Sequence, residues 1–259
     1  MHTPYPEGSQ QAYVSTNVDV GDVVSKVFRI YTRHAGLLLS VAALVFLLDA
    51  LVRLLAIDRP LVAALAGIVT LVLSTMYTGM VVELVSDVRD GRLDQTVGTM
   101  LRSVAPVILP LIAVSILAGI AISIGFVLLI IPGLYLVTIW AVIAPVVVLE
   151  RPGVFAAFGR SRRLVKGDGW QVFGVIVLFF VIYICIGIVL TVLGALFGDA
   201  GQVVFGYIGS VITAPLVALA ASVLYFELKE RREGVTAPAA SGGIAPETPG
   251  GFPPPSPQP

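Results

Sequence analysis

Residues 104–149, 46 in a row, include no Asp, Glu, Lys, Arg or His, and Pro132-Gly133 stands in their second half. One helix crosses a hydrocarbon core of about 30 Å with roughly 20 apolar residues. The stretch is more than twice that long, so it has to cross twice and turn back in between. Proline cannot continue a helix interior but suits the first turn of a new helix, and glycine tolerates turn geometry. Ile130-Ile131-Pro132-Gly133 therefore predicts a tight hairpin between two spans, placed where the lipid ends.

The rest of the chain agrees. It is 57% hydrophobic and only 12% charged, against about 25% charged residues in a soluble domain. This is the composition of an integral membrane protein. Four further apolar stretches, 35–57, 61–86, 171–197 and 203–228, bring the spans to six. Orientation follows from Lys and Arg, which concentrate in cytoplasmic loops. With six spans, Lys26, Arg29, Arg33, Arg89, Arg92, Arg102, Arg151, Arg160, Arg162, Arg163, Lys166, Lys229, Arg231 and Arg232 share one side. Those are 14 of the 16 basic residues. The opposite connections, IDRP, IPG and FGDAG, are short and nearly uncharged, so both termini are expected in the cytoplasm. Trp170, Tyr225 and Phe226 at one set of ends, with Tyr135 and Tyr207 at the other, suit interfacial aromatic belts.

Arginine outnumbers lysine 13 to 3 and Ala, Val and Gly abound, which suits a GC-rich bacterial genome and hence a plasma membrane. The stretch MHTPYPEGSQQAYVSTNVD has neither a basic n-region nor an apolar h-region, so no signal peptide is expected. Sixteen basic and 16 acidic residues cancel and point to no nucleic-acid partner. The sole cysteine, Cys185, excludes an intrachain disulfide or a Cys-based metal cluster.

The basic segments carry helical periodicity. In 20–34 the apolar Val20, Val23, Val24, Val27, Ile30 and Tyr31 fall on one face, opposite Asp22, Lys26, Arg29 and Arg33. Leu93, Val97, Met100, Leu101 and Val104 make a second stripe, with Gln95 and Arg102 facing away. Val154, Ala157, Phe158, Leu164 and Val165 make a third, in 154–166, opposite Arg160, Arg163 and Lys166. Such helices beside a span are expected in the cytoplasmic interface. Lys26, Arg29, Arg33, Arg160, Arg162, Arg163 and Lys166 are then candidate contacts for anionic lipid headgroups, each contributing on the order of 1 kcal/mol.

The expected fold is thus an all-α bundle of six transmembrane helices with three interfacial amphipathic helices. It fills residues 19–234, between disordered tails at 1–18 and 235–259, the latter with eight prolines. The order of interfacial helix, span, outer turn and span occurs three times. Each even span ends alike, at Glu83, Glu150 and Glu227, followed by arginine and then glycine. This pattern fits a threefold internal repeat of parallel units.

Several stretches carry a family resemblance. "IPGLYL", "APVVVLERPGVFAAFGRSRRLVKGDGWQVFGVIVL", "VDVGDVVSKVFRIYTRHAGLLL" and "LYFELKERREG" resemble the glycerophosphoryl diester phosphodiesterase membrane-domain family over roughly residues 18–234. The resemblance implies a stand-alone relative without the catalytic domain that fused members carry. Members often have a basic residue in the fourth span about where Ile139 stands, so that ligand role does not carry over.

No HExxH, GxSxG, P-loop or Cys/His cluster occurs, and neither an enzyme nor a cofactor is expected. Ala66, Thr70, Ser74 and Thr78, then Ser115, Gly119 and Ser123, then Gly194 and Gly198, are small residues at helix-packing spacing. Within the chain or between copies they support assembly, and a scaffold or membrane-organising protein is the leading reading. The alternative is a carrier for a small or lipid-like solute. It rests on Asp49 and Arg53, an i,i+4 pair within the first span, where a charge costs about 2.5–3.5 kcal/mol unless it faces the bundle or water. The pair either lines a cavity open to the outside, beside Ser74, Thr75 or Thr78, or snorkels to the outer headgroups.

The topology is directly testable. Reporter fusions after Ile57, Ile131 and Phe197 should report the outside. A fusion at Gly133 that is active in the cytoplasm overturns the six-span reading.

Overall fold

The computed structural model describes residues 18–55, 59–90 and 97–234. Arg92, Leu93, Gln95 and the two tails, Val18 apart, lie outside the described residues. Among the described residues every regular element is helical, and six helices are long and apolar enough to cross a membrane. The chain is a multi-pass membrane protein. In chain order α1 (Val20–Arg33) precedes the spans α2 (Ala35–Leu55) and α3 (Pro60–Arg89). A short α4 (Val97–Val104) leads into the span α5 (Ile108–Leu128). The fourth span is α6 (Ile130–Ile139), α7 (Ile143–Pro145) and a π turn, Val146–Glu150. Then follow α8 (Val154–Val165) and the spans α9 (Gly169–Ala195) and α10 (Gly198–Glu233). A short amphipathic helix precedes each pair of spans, as the periodicity predicts.

The hairpin between α5 and α6 differs in detail from the expected one. Leu129 alone is extended, at φ −162° and ψ 148°, and α6 begins at Ile130. Pro132 and Gly133 sit in the first turn of α6, where proline's missing N–H forfeits no helical hydrogen bond. Gly133 is there for packing, not turn geometry. A Cβ on it would lie 2.5 Å from the Phe126 ring, and one on Gly125 would lie 3.1 Å from the Gly133 backbone. The turn between α9 and α10 works similarly. Gly198 has φ 69° and meets nothing, so it is a turn residue and not half of a packing pair. The close approach is between Gly194 and Gly201, where an added Cβ would lie 2.5 Å from the Gly194 carbonyl oxygen.

Pro145 decides the shape of the fourth span. It has no N–H for the Ala141 carbonyl and its ring crowds that oxygen, and the helix is interrupted over Trp140–Val142. Helix α8 fills the break. Its Ser161, fully buried, donates to the Ile139 carbonyl at 2.9 Å, and Phe158 packs edge-on against Trp140. Arg151 in the left-handed region and Gly153 at φ 87° turn the chain back so that α8 reaches this place.

Helix α10 organises the bundle. At 36 residues it is about 54 Å long, well over the hydrocarbon thickness, and it packs on α1, α2, α3, α8 and α9. From Thr213 to Leu228 nearly every side is covered. Tyr225 is 0% exposed, so it is a core residue and not the belt aromatic expected from its position. Phe226 is half-buried beneath Arg89, whose guanidinium lies 4.4 Å from the ring centroid. Trp170 and Tyr135 are exposed, as a belt requires.

The amphipathic helices turn their apolar stripes to the bundle. Val23, Val27, Val104, Ala157, Leu164 and Val165 are buried in the main core, while Phe28 and Phe155 point outward. Each of the three leads into an odd-numbered span, so all three lie at one end of the bundle and cap it there as a charged plate with the ends of the even-numbered spans.

Adding a branched side chain at Gly133 should be costly. Gly133→Val is expected to destabilise by about 1–3 kcal/mol through overpacking, seen as a lower unfolding temperature in detergent. Phe126→Ala in the same chain should recover part of the loss. Equal effects with and without Phe126 would show that the ring is not the obstacle.

Candidate functional site

The polar pair of the first span is well placed in the structure. Asp49 lies six residues, about 9 Å, before the end of α2, and is 7% exposed. Its carboxylate accepts from Arg53 Nε at 2.9 Å through Oδ2 and from the Thr70 hydroxyl through Oδ1. Thr70 Oγ1 in turn accepts from Arg53 Nη2 at 2.8 Å. The three side chains close a ring across α2 and α3, and Ala66, small and buried, stands one turn from Thr70 on the same face. The snorkelling alternative would leave Asp49 facing lipid, and its burial against α3 opposes that.

The expected partners Ser74 and Thr78 serve their own helix, donating to the Leu71 and Ser74 carbonyls. The working partner is Thr70, one turn nearer the start of α3. Helical spacing gives the face of α3, and the depth at which α2 meets it comes from packing.

The ring borders a cleft of about 510 Å³ between α2, α3, α9 and α10, whose far wall carries Tyr183, Gln202, Gly206, Tyr207 and Ser210. Tyr207 donates to the Ala43 carbonyl of α2 at 3.2 Å and so fixes the width between α10 and α2. No sequence motif marks these α10 residues. Their polar character in an apolar helix is the one available signal.

A second constellation lies at the plate. Glu150 ends the π turn and accepts from Arg160 Nε at 2.6 Å and Nη2 at 2.9 Å, and from the Tyr225 hydroxyl at 2.8 Å. Arg160 also pairs with Glu233, and Lys229 stands 3.7 Å from Glu150. On α1, Lys26 pairs with Asp22 and with Glu227 of α10. Arg89 pairs with Glu230, and Asp168 takes Arg231 and Arg232. Burial alone would lower the Lys26 pKa, but its bonds to Asp22 and Glu227 outweigh it and the pKa rises. Arg160 is raised chiefly by its bond to Glu150.

These pairs divide the seven candidate headgroup contacts. Lys26 and Arg160 are engaged by carboxylates of the span ends. Arg29, Arg33, Arg162, Arg163 and Lys166 are exposed and make no ion pair among the described residues, which leaves them as the headgroup candidates. The recurring glutamates also separate. Glu227 holds α1 and Glu150 holds α8, each the amphipathic helix of the next unit around the bundle, with α1 following the last. Glu83 makes no such pair among the described residues.

No protein-family model matches the chain, and no curated protein or solved structure matches it. The resemblance to the glycerophosphoryl diester phosphodiesterase membrane domain therefore rests on the residues quoted for it.

The ring of Asp49, Arg53 and Thr70 predicts coupling. Asp49→Ala removes a charged hydrogen-bond partner from Arg53 and is expected to cost roughly 1–3 kcal/mol. Arg53→Ala and the double variant should complete a cycle with a coupling energy of about 0.5 kcal/mol or more, read from unfolding in detergent. Small additive effects would mean the pair holds nothing together.

Proposed function

We propose that this chain is a carrier that admits a small polar or lipid-like solute from the outer side of a bacterial plasma membrane into the cleft at Asp49. The observation that carries the reading is the cleft itself. Asp49, Arg53 and Thr70 line one wall and Gln202, Tyr207 and Ser210 the other, below the outer ends of the spans. Charge at this depth is costly unless it faces the bundle or water, and here the paired groups stand on the wall of a polar cleft.

The orientation with both termini in the cytoplasm is supported by the plate, which gathers the basic residues at one end and leaves the cleft near the other. The exposed arginines of α1 and α8 would then meet anionic headgroups of the inner leaflet. We read no covalent chemistry in the chain, and the family resemblance enters only as that of a stand-alone membrane domain. Assembly, by homo- or hetero-oligomers, keeps one specific observation. Gly119 and Ser123 stand on the exposed face of α5, and nothing lies within 4 Å of a Cβ added at Gly119.

Cysteine accessibility separates the two. In a Cys185→Ser background, Gly206→Cys should react with a membrane-impermeant maleimide added from outside, since the cleft is polar there. Ile120→Cys, at similar depth on the lipid-facing side of α5, should not. An unreactive Gly206→Cys, with the folded protein present in the membrane, would overturn the outward cleft and leave assembly as the better reading.

A further inference from the structure

A second groove lies further along α9 and α10. It has a volume of about 420 Å³ and is lined by Val137 of α6, Phe179 and Phe180 of α9, and Val217, Ala221 and Leu224 of α10. Tyr183 borders both spaces. On α10 the lining residues run at helical spacing, from Val203, Gly206 and Ser210 in the polar part to Val217, Ala221 and Leu224 in the apolar part. Steps of three, four and seven residues keep them on one face. This face extends 21 residues, about 32 Å, from near the outer end past the middle of the bilayer.

We infer that the two spaces form one site for an amphiphile with a zwitterionic head and an acyl chain, the head at Asp49 and Arg53 and the chain along α10. This rests on the reading of the cleft as a polar-solute site and adds the class of ligand. The apolar half lies inside the spanning segments, where the surrounding solvent is acyl chain, and Val217 on its wall is 51% exposed. The polar half sets the head. Asp49 and Arg53 cancel, so a head bearing a phosphate and an amine matches the pair, and a purely anionic head would meet the Asp49 carboxylate. Arg53 still has donors to offer, because Nη1 makes no hydrogen bond among the described residues while Nε and Nη2 are taken. A head held here lies about 9 Å below the outer end of α2, deeper than the heads of surrounding lipids. That depth suits a lipid being drawn into the protein.

The full chain in detergent, carrying Gly206→Cys and Cys185→Ser, tests this with two probes. One is phosphoethanolamine, a head without a chain. The other is phosphatidylethanolamine carrying a photoreactive diazirine within one acyl chain. The site predicts that both slow maleimide labelling at Gly206→Cys. Photolysis should label segments 175–183 and 217–224, and phosphatidylethanolamine should outcompete phosphatidylglycerol by about tenfold. Ala221→Trp and Val217→Trp fill the groove from two positions, the second already exposed. Each should reduce photolabelling about tenfold and leave protection by phosphoethanolamine unchanged. If neither folds, loss of the headgroup preference in Arg53→Gln reads the same site. Protection by phosphoethanolamine with no labelling of the groove would overturn the amphiphile and leave the polar cleft standing. If neither probe protects, both readings fall. Groove labelling indifferent to Asp49→Asn and to the tryptophans would mean ordinary surrounding lipid, and would also overturn the inference.

Discussion

A hydrogen-bonding group in hydrocarbon has no water to fall back on, and several polar groups of the six spans are matched to partners. The interrupted fourth span gives its Ile139 carbonyl to Ser161. The carboxylate of Asp49 is divided between Arg53 and Thr70. The hydroxyls of Ser74, Thr78, Ser115, Thr138, Thr213 and Ser222 return to carbonyls of their own helices. Two helix positions agree with these matches. Helix α8 lies where it can satisfy the break, and α3 lies where Thr70 meets Asp49.

What could be read in the sequence is what hydrophobicity and charge report at the scale of a whole helix. The uncharged run at 104–149 forces a hairpin, the basic segments mark one end of the bundle, and the three apolar stripes mark helices that lie against it. What could not be read depends on contacts between distant residues. Gly133 suggests a turn by its type, yet it is required by the ring of Phe126. Tyr225 suggests an interface by its position, yet Glu150, 75 residues away, draws it into the core. The residues that the sequence suggests beside Asp49, Ser74, Thr75 and Thr78, lie one to two turns along α3 from its partner Thr70, because a helical period fixes direction around an axis and not the height at which two axes meet.

The cleft and the charged plate occupy opposite ends, and α10 belongs to both. Gln202, Gly206, Tyr207 and Ser210 face the cleft, and some twenty residues further on Tyr225, Glu227, Glu230 and Glu233 hold the plate together. The helix is unbroken between them, through Pro215. Proline inside a helix gives up one backbone hydrogen bond, and the buried surroundings of Pro215 keep the two halves of α10 in one piece.

The bond between Lys26 and Glu227 spans 201 positions of the chain, and this bears on how the molecule is made. At roughly 5–20 residues per second of synthesis, α1 emerges about 10–40 s before the glutamate that will hold it. Through that interval its valine stripe has no bundle to cover it. A helix with one apolar and one basic face can wait on the surface of the membrane. The amphipathic character that lets α1 dock on the finished bundle is also the character such a wait on the membrane surface requires.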